Sequence, residues 1–553
     1  MTSLWTSPIH AFAIASLLIS GAYLYSTLHY RRFRQNAHIP HLPSSLLWGH
    51  LLTFDRLTKQ GATDRHPDAI FAEMHQALGK PPIMLVDNWP IVPPMVIVAS
   101  HEVAEQVSKP SNHFPLYSAP KSPSVDRIVD LIGQNSILFK QNERWKAVRK
   151  RFNPGFAPQH LMTLLPVIVE KATQYLEIID LFARTGKAFS LDQVTTNVTF
   201  DIIGAVTMDE DMRAQSLDPA HQGELICMFK ELIKTYLDDK LQLPWWLMPR
   251  VHFRRRQLGK RISAQLKIIV QRNFDKMHGE ALPVEPQNKS RSVLALSLQD
   301  VESLTPEIME ETCDQLKTFL FAGHDSTSST ISWSIYELFR TPHALQAVRD
   351  ELDRLFGSTG DQDMAATRKR LLAPGGDEIV HQMTYISAVI KETLRLHPPA
   401  GSIRMSKPKT GFVVSTTQGN YNLDGNWIYL NHSIIQRDRA VYGETTDTFV
   451  PERWLQSEHP PASAWRPFER GPRSCIGLEL ANIEARIIVC LLVRHFDFVK
   501  VGLGETDLDQ NGQPVIEDTR QLKVKSDMYS TIQISGKPVD GMMMRVSAAP
   551  LVH

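Results

Sequence analysis

Cysteine is scarce in this chain, whose 553 residues include four: Cys227, Cys313, Cys475 and Cys490. They lie too far apart for the disulfide framework of a small secreted protein, and no Cys-x-x-Cys pair offers a zinc ribbon or a covalent c-type haem attachment. The sequence also lacks a glycine-rich dinucleotide fingerprint and the cysteine cluster of an iron–sulfur centre. These absences favour reduced, cytosol-facing chemistry in a chain without an electron donor of its own.

Net charge is nearly absent as well. A formal charge of +1 gives no bulk electrostatic reason to expect a nucleic-acid partner, and no nucleic-acid-binding motif is found. With 42% apolar and 22% charged residues, the composition is that of an ordinary globular protein. The chain has enough apolar material for one large core.

The segment from Ile9 to Leu28 contains no Asp, Glu, Lys or Arg, and arginines follow it at positions 31, 32 and 34. A helix of this length spans about 30 Å, the thickness of the hydrocarbon core of a membrane. A cleaved signal peptide is the alternative, but it would place basic residues before the apolar run, and none precede it. The positive-inside rule then predicts a lumenal N-terminus at 1–8, a transmembrane anchor at 9–28, a basic and proline-containing hinge at 29–50 and a cytosolic domain at 51–553.

The longest helical pattern begins at Thr305-Pro306, with Thr as N-cap and Pro in the first turn, and ends at Arg340 before Thr341-Pro342. Such a helix spans about 50 Å and would cross the whole domain. Glycine inside a helix costs roughly 1 kcal/mol relative to alanine, so Gly323 within this pattern suggests close approach of a flat ligand. Apolar β-rich runs predict short strands at 83–86 and 95–98.

The most informative segment is FERGPRSCIG, Phe468 to Gly477, which stands directly before an apolar helical pattern. Glycines at 471 and 477 permit a tight loop that approaches a flat ligand. The loop presents the Cys475 thiol at a helix N-terminus, where N–H groups and the helix dipole lower the pKa of a thiol. Arg473 is suited to an anionic group of the ligand. The alternative is that Cys475 is a buried structural cysteine.

This segment resembles the signature of the cytochrome P-450 family, Phe-x-x-Gly-x-Arg-x-Cys-x-Gly, at every fixed position. The resemblance extends from Pro40 to about Val546 and implies that Cys475 is the axial ligand of the iron in haem b, where a thiolate favours O–O cleavage. It implies a mainly α fold with small β-sheets (α+β): one large helical domain with a long central helix across the haem, behind one transmembrane helix. Residues 51–553 would be the haem-thiolate catalytic domain.

The resemblance also implies partners for the haem. Trp145 and Arg149, four residues apart on one helix face, would reach a haem carboxylate, although a basic surface helix is the alternative for this segment. Arg404 and Arg473 would bind carboxylates too. Further expected contacts are Phe468 over the sulfur and the two glycines that admit the flat ring, Gly323 and Gly477.

Two more motifs match the family. Glu392, Arg395 and Arg453 correspond to its Glu-x-x-Arg and Pro-Glu-Arg segments and would form a buried ion cluster that orients the loop of Cys475. This role is structural.

Asp325, Ser326 and Thr327 resemble the oxygen-activating motif, in which a carboxylate and a hydroxyl relay protons to bound dioxygen. The residue after the acid is usually Thr, whereas here it is Ser326. Either hydroxyl could serve, the relay could be altered, or the hydroxyls could only satisfy i−4 carbonyls in a bent helix.

The implied function is a monooxygenase that inserts one atom of O2 into an apolar small molecule, such as a secondary metabolite of polyketide or terpenoid type. Electrons would come from NADPH through a separate NADPH-cytochrome reductase, with cytochrome b5 as an additional candidate partner. Desaturation, ring coupling or isomerisation without net oxygen insertion is an alternative, and so is a non-enzymatic haem-binding role. The candidates for docking an acidic reductase surface are Arg144, Lys146, Lys150, Arg470 and Arg473.

The anchor implies a single-pass protein of the endoplasmic reticulum membrane with its catalytic domain in the cytosol. Trp245-Trp246, close to Arg250 and to the arginines at 254–256, suits a second contact with membrane lipid; an ordinary loop with a solvated basic patch is the alternative. Candidates for substrate contact, each of which could equally be packing, are His113, Phe114, Tyr117, Ile132, Leu138 and a turn at Gly536 to Asp540.

Overall fold

Helices dominate the computed structural model, which describes residues 8–111, 119–239, 245–278, 292–357, 364–533 and 535–549. In these residues the α-helices are α1 (Pro8–Phe33), α2 (Leu51–Lys59), α3 (Pro67–Ala77), α4 (His101–Ser108), α5 (Val129–Ile132), α6 (Asn142–Phe152), α7 (Pro158–Thr163), α8 (Leu165–Thr185), α9 (Leu191–Met208), α10 (Glu224–Asp238), α11 (Pro249–His278), α12 (Val293–Leu298), α13 (Pro306–Arg340), α14 (Pro342–Phe356), α15 (Met364–Leu372), α16 (Gly376–Gln382), α17 (Thr384–Leu396), α18 (His432–Ile435), α19 (Arg439–Tyr442) and α20 (Leu478–His495). The strands are β1 (Ile83–Val86), β2 (Met95–Val98), β3 (Phe189–Ser190), β4 (Ser402–Met405), β5 (Val413–Thr416), β6 (Gly419–Asn422), β7 (Trp427–Leu430), β8 (Phe496–Lys500), β9 (Ser530–Ile532), β10 (Gly536–Pro538) and β11 (Met543–Ala548).

Helix α13 has the bounds that the sequence predicts. The Thr305 side chain accepts a hydrogen bond from the Ile308 N–H at 3.3 Å and caps the helix. Helices α9, α11, α17 and α20 pack along α13. Its residues are continuously buried at 312–320 and 327–338, whereas most of those between are only partly covered. Residues 321–326, between the two buried stretches, form the part of the helix that faces a cavity.

The strands form small sheets, as predicted for an α+β fold. Strands β1 and β2 have the predicted bounds and are antiparallel; β2 pairs with β7 in parallel, and β7 pairs with β4 antiparallel. A second sheet has the order β3-β11-β8. The turn predicted from Gly536 to Asp540 is wrong in its first half, because Gly536–Pro538 is strand β10 and pairs with β9. Pairing with β9 and burial of Lys537 hold these residues extended.

The N-terminal helix continues beyond the predicted anchor. Among the described residues, one helix, His10–Phe33, is long and apolar enough to cross a membrane. Its residues 10–27 are exposed. At its end the Arg32 side chain is buried, forms an ion pair with Asp87 and donates to the Trp89 carbonyl at 2.8 Å. His50, in the segment predicted as a hinge, accepts from the Asp87 N–H at 2.9 Å. The segment after the helix is therefore attached to the end of β1.

Candidate active site

The loop before α20 folds tightly around its glycine and its cysteine. Gly471 has φ of +76°, and a Cβ there would lie 2.3 Å from the Ser108 carbonyl oxygen, so no other residue fits. The Cys475 N–H donates to the Phe468 carbonyl at 2.9 Å, and the Ser474 N–H donates to the Gly471 carbonyl at 3.1 Å. These bonds hold the thiol at the N-terminus of α20.

The Cys475 thiol is open to an internal cavity while protein surrounds it on its other sides. Burial raises its pKa, and the Gly477 backbone N–H, Arg149 and Lys121 offset this only in part. The predicted lowering of the thiol pKa by an N–H group at the start of the helix is therefore present, but desolvation outweighs it. A bound metal ion would deprotonate the thiol regardless.

The cavity has a volume of about 360 Å³ and lies between α13, α20, the cysteine loop and the start of β4. It brings together the predicted residues Trp145, Arg149, Gly323, Asp325, Ser326, Thr327, Phe468, Arg473, Cys475 and Gly477. Much of the remaining lining is apolar and includes Leu138, Ile203 and Phe319. Of the predicted substrate contacts, Leu138 lines the cavity, Ile132 is packed in the core, and His113, Phe114 and Tyr117 lie outside the described residues.

Two predicted cations on the cavity wall support the cysteine loop. Arg149, from α6, donates to the Ser474 carbonyl at 2.7 Å and to Asn153 Oδ1 at 2.7 Å. Arg473 lies over the ring of Trp145, with its Cζ 4.8 Å from the centroid, and donates to the Lys140 carbonyl at 3.0 Å. Burial, with Arg404 and Arg149 nearby, lowers the pKa of Arg473 to about 9.

A third cation on this wall, Lys121, was missed by sequence reasoning. Its Nζ donates to Ser402 Oγ at 2.9 Å, and burial together with Arg404 holds its pKa well below the ordinary value. Arg404 itself is fully buried behind the wall, with a guanidinium nitrogen 3.6 Å from Glu469 Oε2. A lone lysine between prolines carries no local signal, and only the fold brings it to the cavity.

These side chains fit haem b. Burial lowers the pKa of each of four cations, Lys121, Arg149, Arg404 and Arg473. Lys121 and Arg404 interact with the carboxylate of Glu469, which also pairs with Arg466, so the group as a whole is short of counter-charge. The two propionates of haem would supply it. A Cβ on Gly477 would meet no atom closer than the Cys475 sulfur at 3.9 Å, which leaves open space for a flat ring beside the thiol.

The predicted ion cluster around Glu392 is fully buried and lies away from the cavity lining. Arg395 donates to both carboxylate oxygens at 2.8 and 2.9 Å, and Arg453 donates to Oε1 at 3.0 Å. The Val450 N–H and the Trp454 indole complete five hydrogen bonds to one carboxylate. This geometry is that of a cluster that holds parts of the fold together.

A chain of hydrogen bonds connects this cluster to the cysteine loop. Arg395 donates to the Gln436 carbonyl at 3.1 Å, and the Gln436 side-chain oxygen accepts from the Arg466 N–H at 2.7 Å. Arg466 then donates to Glu469 Oε1 at 2.5 Å. Glu469 belongs to the loop that ends at Cys475, so the cluster can orient the thiol from a distance.

On the α13 wall, the predicted acid and hydroxyls are in place. Asp325 accepts from the Ser535 N–H at 3.1 Å and from the Ser535 hydroxyl. Burial would raise the pKa of Asp325, but Lys537, His324 and Ser535 together hold it below its ordinary value. Ser326 Oγ donates to the Ala322 carbonyl at 2.8 Å, the i−4 bond that was considered as an alternative.

Gly323 lines the cavity, but the atom that limits its size belongs to the protein. A Cβ at this position would lie 2.8 Å from Cδ1 of Ile203, on the neighbouring helix α9. Close packing of α9 against α13 is therefore sufficient to explain a glycine here. Its predicted contact with a flat ligand remains a prediction.

The proposed surface patches are only partly as predicted. Arg144, Lys146 and Lys150 are exposed on α6, whereas Arg470 pairs with Glu105 at 3.1 Å and Arg473 points to the cavity.

Around the second predicted membrane contact, Trp245 and Trp246 are exposed. Arg255 is buried against Tyr236 and Asp239, and Arg254 pairs with Glu231, which leaves fewer free charges there than the sequence suggests.

Comparison with known proteins gives one consistent result. The family model described as Cytochrome P450 matches residues 40–524. The protein named Cytochrome P450 monooxygenase acrF, from Aspergillus aculeatus, is 30% identical over 461 residues, which cover 79% of this chain and 88% of that protein. Cytochrome P450 monooxygenase polC, from Polytolypa hystricis, is 28% identical over 555 residues, covering 97% and 94%.

The solved structures include a fold neighbour. The crystal structure of the cytochrome P450DA heme domain superposes with a TM-score of 0.69, covering 93% of this chain and 98% of that chain at 17% sequence identity. At this identity the similarity shows the fold alone.

Proposed function

The chain belongs to the cytochrome P450 family and is a haem-thiolate monooxygenase, and we propose that Cys475 supplies the thiolate for oxygen insertion into an apolar small molecule. The observation that carries this assignment is the cavity itself. One wall offers a thiol surrounded by excess cations, and another offers the Asp325–Ser326 pair. The remaining cysteines do not line it: among the described residues, Cys313 and Cys490 are buried in the core and Cys227 is exposed on the surface.

Each group on the walls has a proposed task. When bound, haem supplies the activation of dioxygen. Arg149, Lys121 and Arg473 bind the propionates. Arg404 supports this wall from behind through its contact with Glu469. The ionised Asp325 carboxylate accepts a proton in transit, and the Ser326 or Thr327 hydroxyl passes it into the cavity. The apolar lining binds the substrate and excludes water.

We infer that electrons come from a separate NADPH-dependent reductase. The chain has no dinucleotide or flavin fingerprint of its own. Lys146 and Lys150, four residues apart, form an exposed basic row on α6, the helix that holds Arg149 beside the cysteine loop, and Arg144 is exposed on another side of the same helix. Such a row suits an acidic partner, and rising ionic strength should weaken docking.

We place the protein on the cytosolic face of the endoplasmic reticulum membrane. The apolar helix His10–Phe33 supports an anchor, and the arginines at its C-terminal end support the orientation. The fixed contacts of Arg32 would hold the catalytic domain close to the membrane surface.

The reduced, carbon-monoxide-bound absorption spectrum tests the ligand assignment. The parent protein should show the red-shifted Soret band of thiolate-ligated haem, and Cys475→His should lose that band and all turnover. Cys227→Ser, which removes an exposed cysteine away from the cavity, is the matched control and should keep both. A thiolate spectrum in folded Cys475→His would refute the assignment.

Product analysis under isotopically labelled dioxygen separates the reaction types. Label in the product supports net oxygen insertion. An unlabelled product that has lost hydrogen or has a new ring bond would replace insertion with desaturation or coupling at the same site.

A further inference from the structure

Lys537, near the C-terminus, is a buried cation that joins two helices. Its side chain is 2% exposed, and its Nζ lies 2.9 Å from Asp192 Oδ1 on α9 and 3.3 Å from Asp325 Oδ1 on α13. It also donates to Ser328 Oγ at 2.7 Å and to Thr196 Oγ1 at 3.3 Å. An ammonium group this deep in a protein is expensive to desolvate unless each proton finds an acceptor.

The same C-terminal segment also supplies the other donors to Asp325. Ser535 donates its backbone N–H and its hydroxyl to Oδ2, while Lys537 faces Oδ1. Both carboxylate oxygens are therefore fixed by residues of one short stretch, at and just before β10. A carboxylate held in this way has one orientation relative to the cavity that it lines.

We propose that Lys537 is a positioning residue that keeps the Asp325 carboxylate ionised and oriented at the edge of the cavity, although Lys537 itself is not among the described residues lining it. The inference rests on the proposed role of Asp325 in proton delivery. It assigns the control of proton delivery to Lys537, in strand β10, and to Asp192, the other carboxylate that Lys537 contacts.

The charges around the pair support this assignment. His324 Nε2 lies 4.0 Å from Asp325 Oδ1, but burial lowers the pKa of His324 to about 4, so it is neutral near pH 7. Lys230 on α10 helps to lower the pKa of His324, and its Nζ donates to Asn197 Oδ1 and Gln222 Oε1. Among the residues that the structure describes, Lys537 is therefore the contact that supplies positive charge to Asp325 at neutral pH.

The two carboxylates share this lysine unequally. Burial raises the pKa of Asp192 despite Lys537, whereas the pKa of Asp325 is lowered. Ser535 gives Asp325 two further hydrogen bonds, whereas among the described residues the Asp192 carboxylate accepts from Lys537 alone, so a proton that enters the cluster would reside on Asp192 before Asp325. Asp192 competes for Lys537, and removing it should strengthen the hold on Asp325.

The test uses the full-length protein with its reductase and compares Lys537→Met, Lys537→Arg and Asp192→Asn. The readout is product formed per NADPH oxidised, as a function of pH. Lys537→Met should keep the thiolate spectrum, lower this ratio roughly tenfold and move the acid limb of the profile to higher pH by about one unit. Lys537→Arg should restore most of both. Asp192→Asn, which retains the lysine, should move the limb to lower pH.

Infrared difference spectra give a readout independent of turnover. Lys537→Met should show a new band of a protonated carboxylic acid at neutral pH, and part of this band should disappear when Asp325→Asn is added. An unchanged pH profile in both Lys537→Met and Asp192→Asn, with no new band, would overturn the proposal. If Asp325→Asn also leaves the product ratio unchanged, the proposed function of Asp325 fails instead.

Discussion

Two buried ion clusters of this protein have opposite compositions. Away from the cavity, one carboxylate, Glu392, lies between two guanidiniums, those of Arg395 and Arg453. Beside the cavity, one ammonium, Lys537, lies between two carboxylates, those of Asp192 and Asp325. Each cluster joins distant parts of the chain, but they differ in how completely the shared ion is satisfied.

Five hydrogen bonds saturate the carboxylate of Glu392 and fix its position. In the cavity cluster two carboxylates share one cation, and the excess negative charge lets the cluster hold a proton. The comparison teaches that a carboxylate with a full set of donors fixes geometry. A cluster with more carboxylates than cations, which we call the undersupplied cluster, is suited to binding and releasing a proton.

Breaking the saturated cluster should have the largest effect. Glu392→Gln leaves Arg395 and Arg453 buried without a counter-ion, and we expect a loss of about 3 to 5 kcal/mol in the free energy of unfolding. Denaturant unfolding and haem content per chain measure it. Glu444→Gln removes the carboxylate of an exposed pair with Arg439 and serves as the control, which should unfold at the denaturant concentration of the parent. Unaltered stability of Glu392→Gln would show that the cluster is dispensable.

Lys537→Met tests the undersupplied cluster through the pH dependence of stability. We expect a loss of about 2 kcal/mol near pH 7, from charge-assisted hydrogen bonds. The pKa of Asp325 is lowered in the folded parent, so its contribution is present above the unfolded pKa of about 3.9 and is lost as the pH falls through the folded pKa. Without Lys537 both carboxylates favour protonation.

The difference in Tm between parent and Lys537→Met should therefore be greatest at neutral pH and shrink toward pH 4. At the alkaline end the raised pKa of Lys537 predicts that the parent loses its advantage only above the ordinary lysine pKa of about 10.4. A Tm difference that is constant between pH 4 and 7 would mean that the lysine contributes packing and no charge.

The two clusters also show how far sequence can predict such a site. Glu392 and Arg395 are neighbours on one helix turn, and the Pro-Glu-Arg segment is a local motif, so the resemblance to the family was enough to predict that they come together. The bounds of α13 followed from local signals, Thr305 and Pro306 at its start and Pro342 after its end. The capping of α13 and the Glu392–Arg395 pair are local, within about one turn, whereas the Arg453–Glu392 contact joins residues 61 positions apart and was predicted only through the family motif.

Lys121 and Lys537 could not be found in this way, because their partners are brought near only by the fold. The Ser535–Asp325 contact joins residues 210 positions apart, and the sequence around Lys537, with its glycine and proline, favours a turn rather than the observed strand. For the same reason the sequence predicted only the contribution that lowers the pKa of Cys475 and not the larger one that raises it. Its local dipole can be read from sequence, but its burial is a tertiary property.

A smaller effect should separate the two hydroxyls after Asp325. Ser326 is less buried than Thr327 and directs its hydrogen to Ala322, leaving its oxygen lone pairs available to accept. We expect Ser326→Ala to lower product formed per NADPH by roughly tenfold, about 1.4 kcal/mol, with Ser326→Thr close to the parent. Ser334→Ala removes a similar i−4 hydrogen bond outside the cavity lining and is the control. If Thr327→Val has the larger effect, Thr327 is the relay.

The smallest expected effect, below about 1 kcal/mol, concerns Gly323. Gly323→Ala gains helix propensity of about 1 kcal/mol, but its Cβ would overlap Cδ1 and Cγ1 of Ile203, at 2.8 and 2.9 Å. The two contributions should nearly cancel. In an Ile203→Ala background the overlap is gone, so the same substitution should stabilise the protein by about 1 kcal/mol, and a double-mutant cycle measures this coupling. If Gly323 instead serves contact with the haem, Gly323→Ala would lower haem content in both backgrounds without energetic coupling, and the glycine would belong to the ligand site rather than to the packing of α9 on α13.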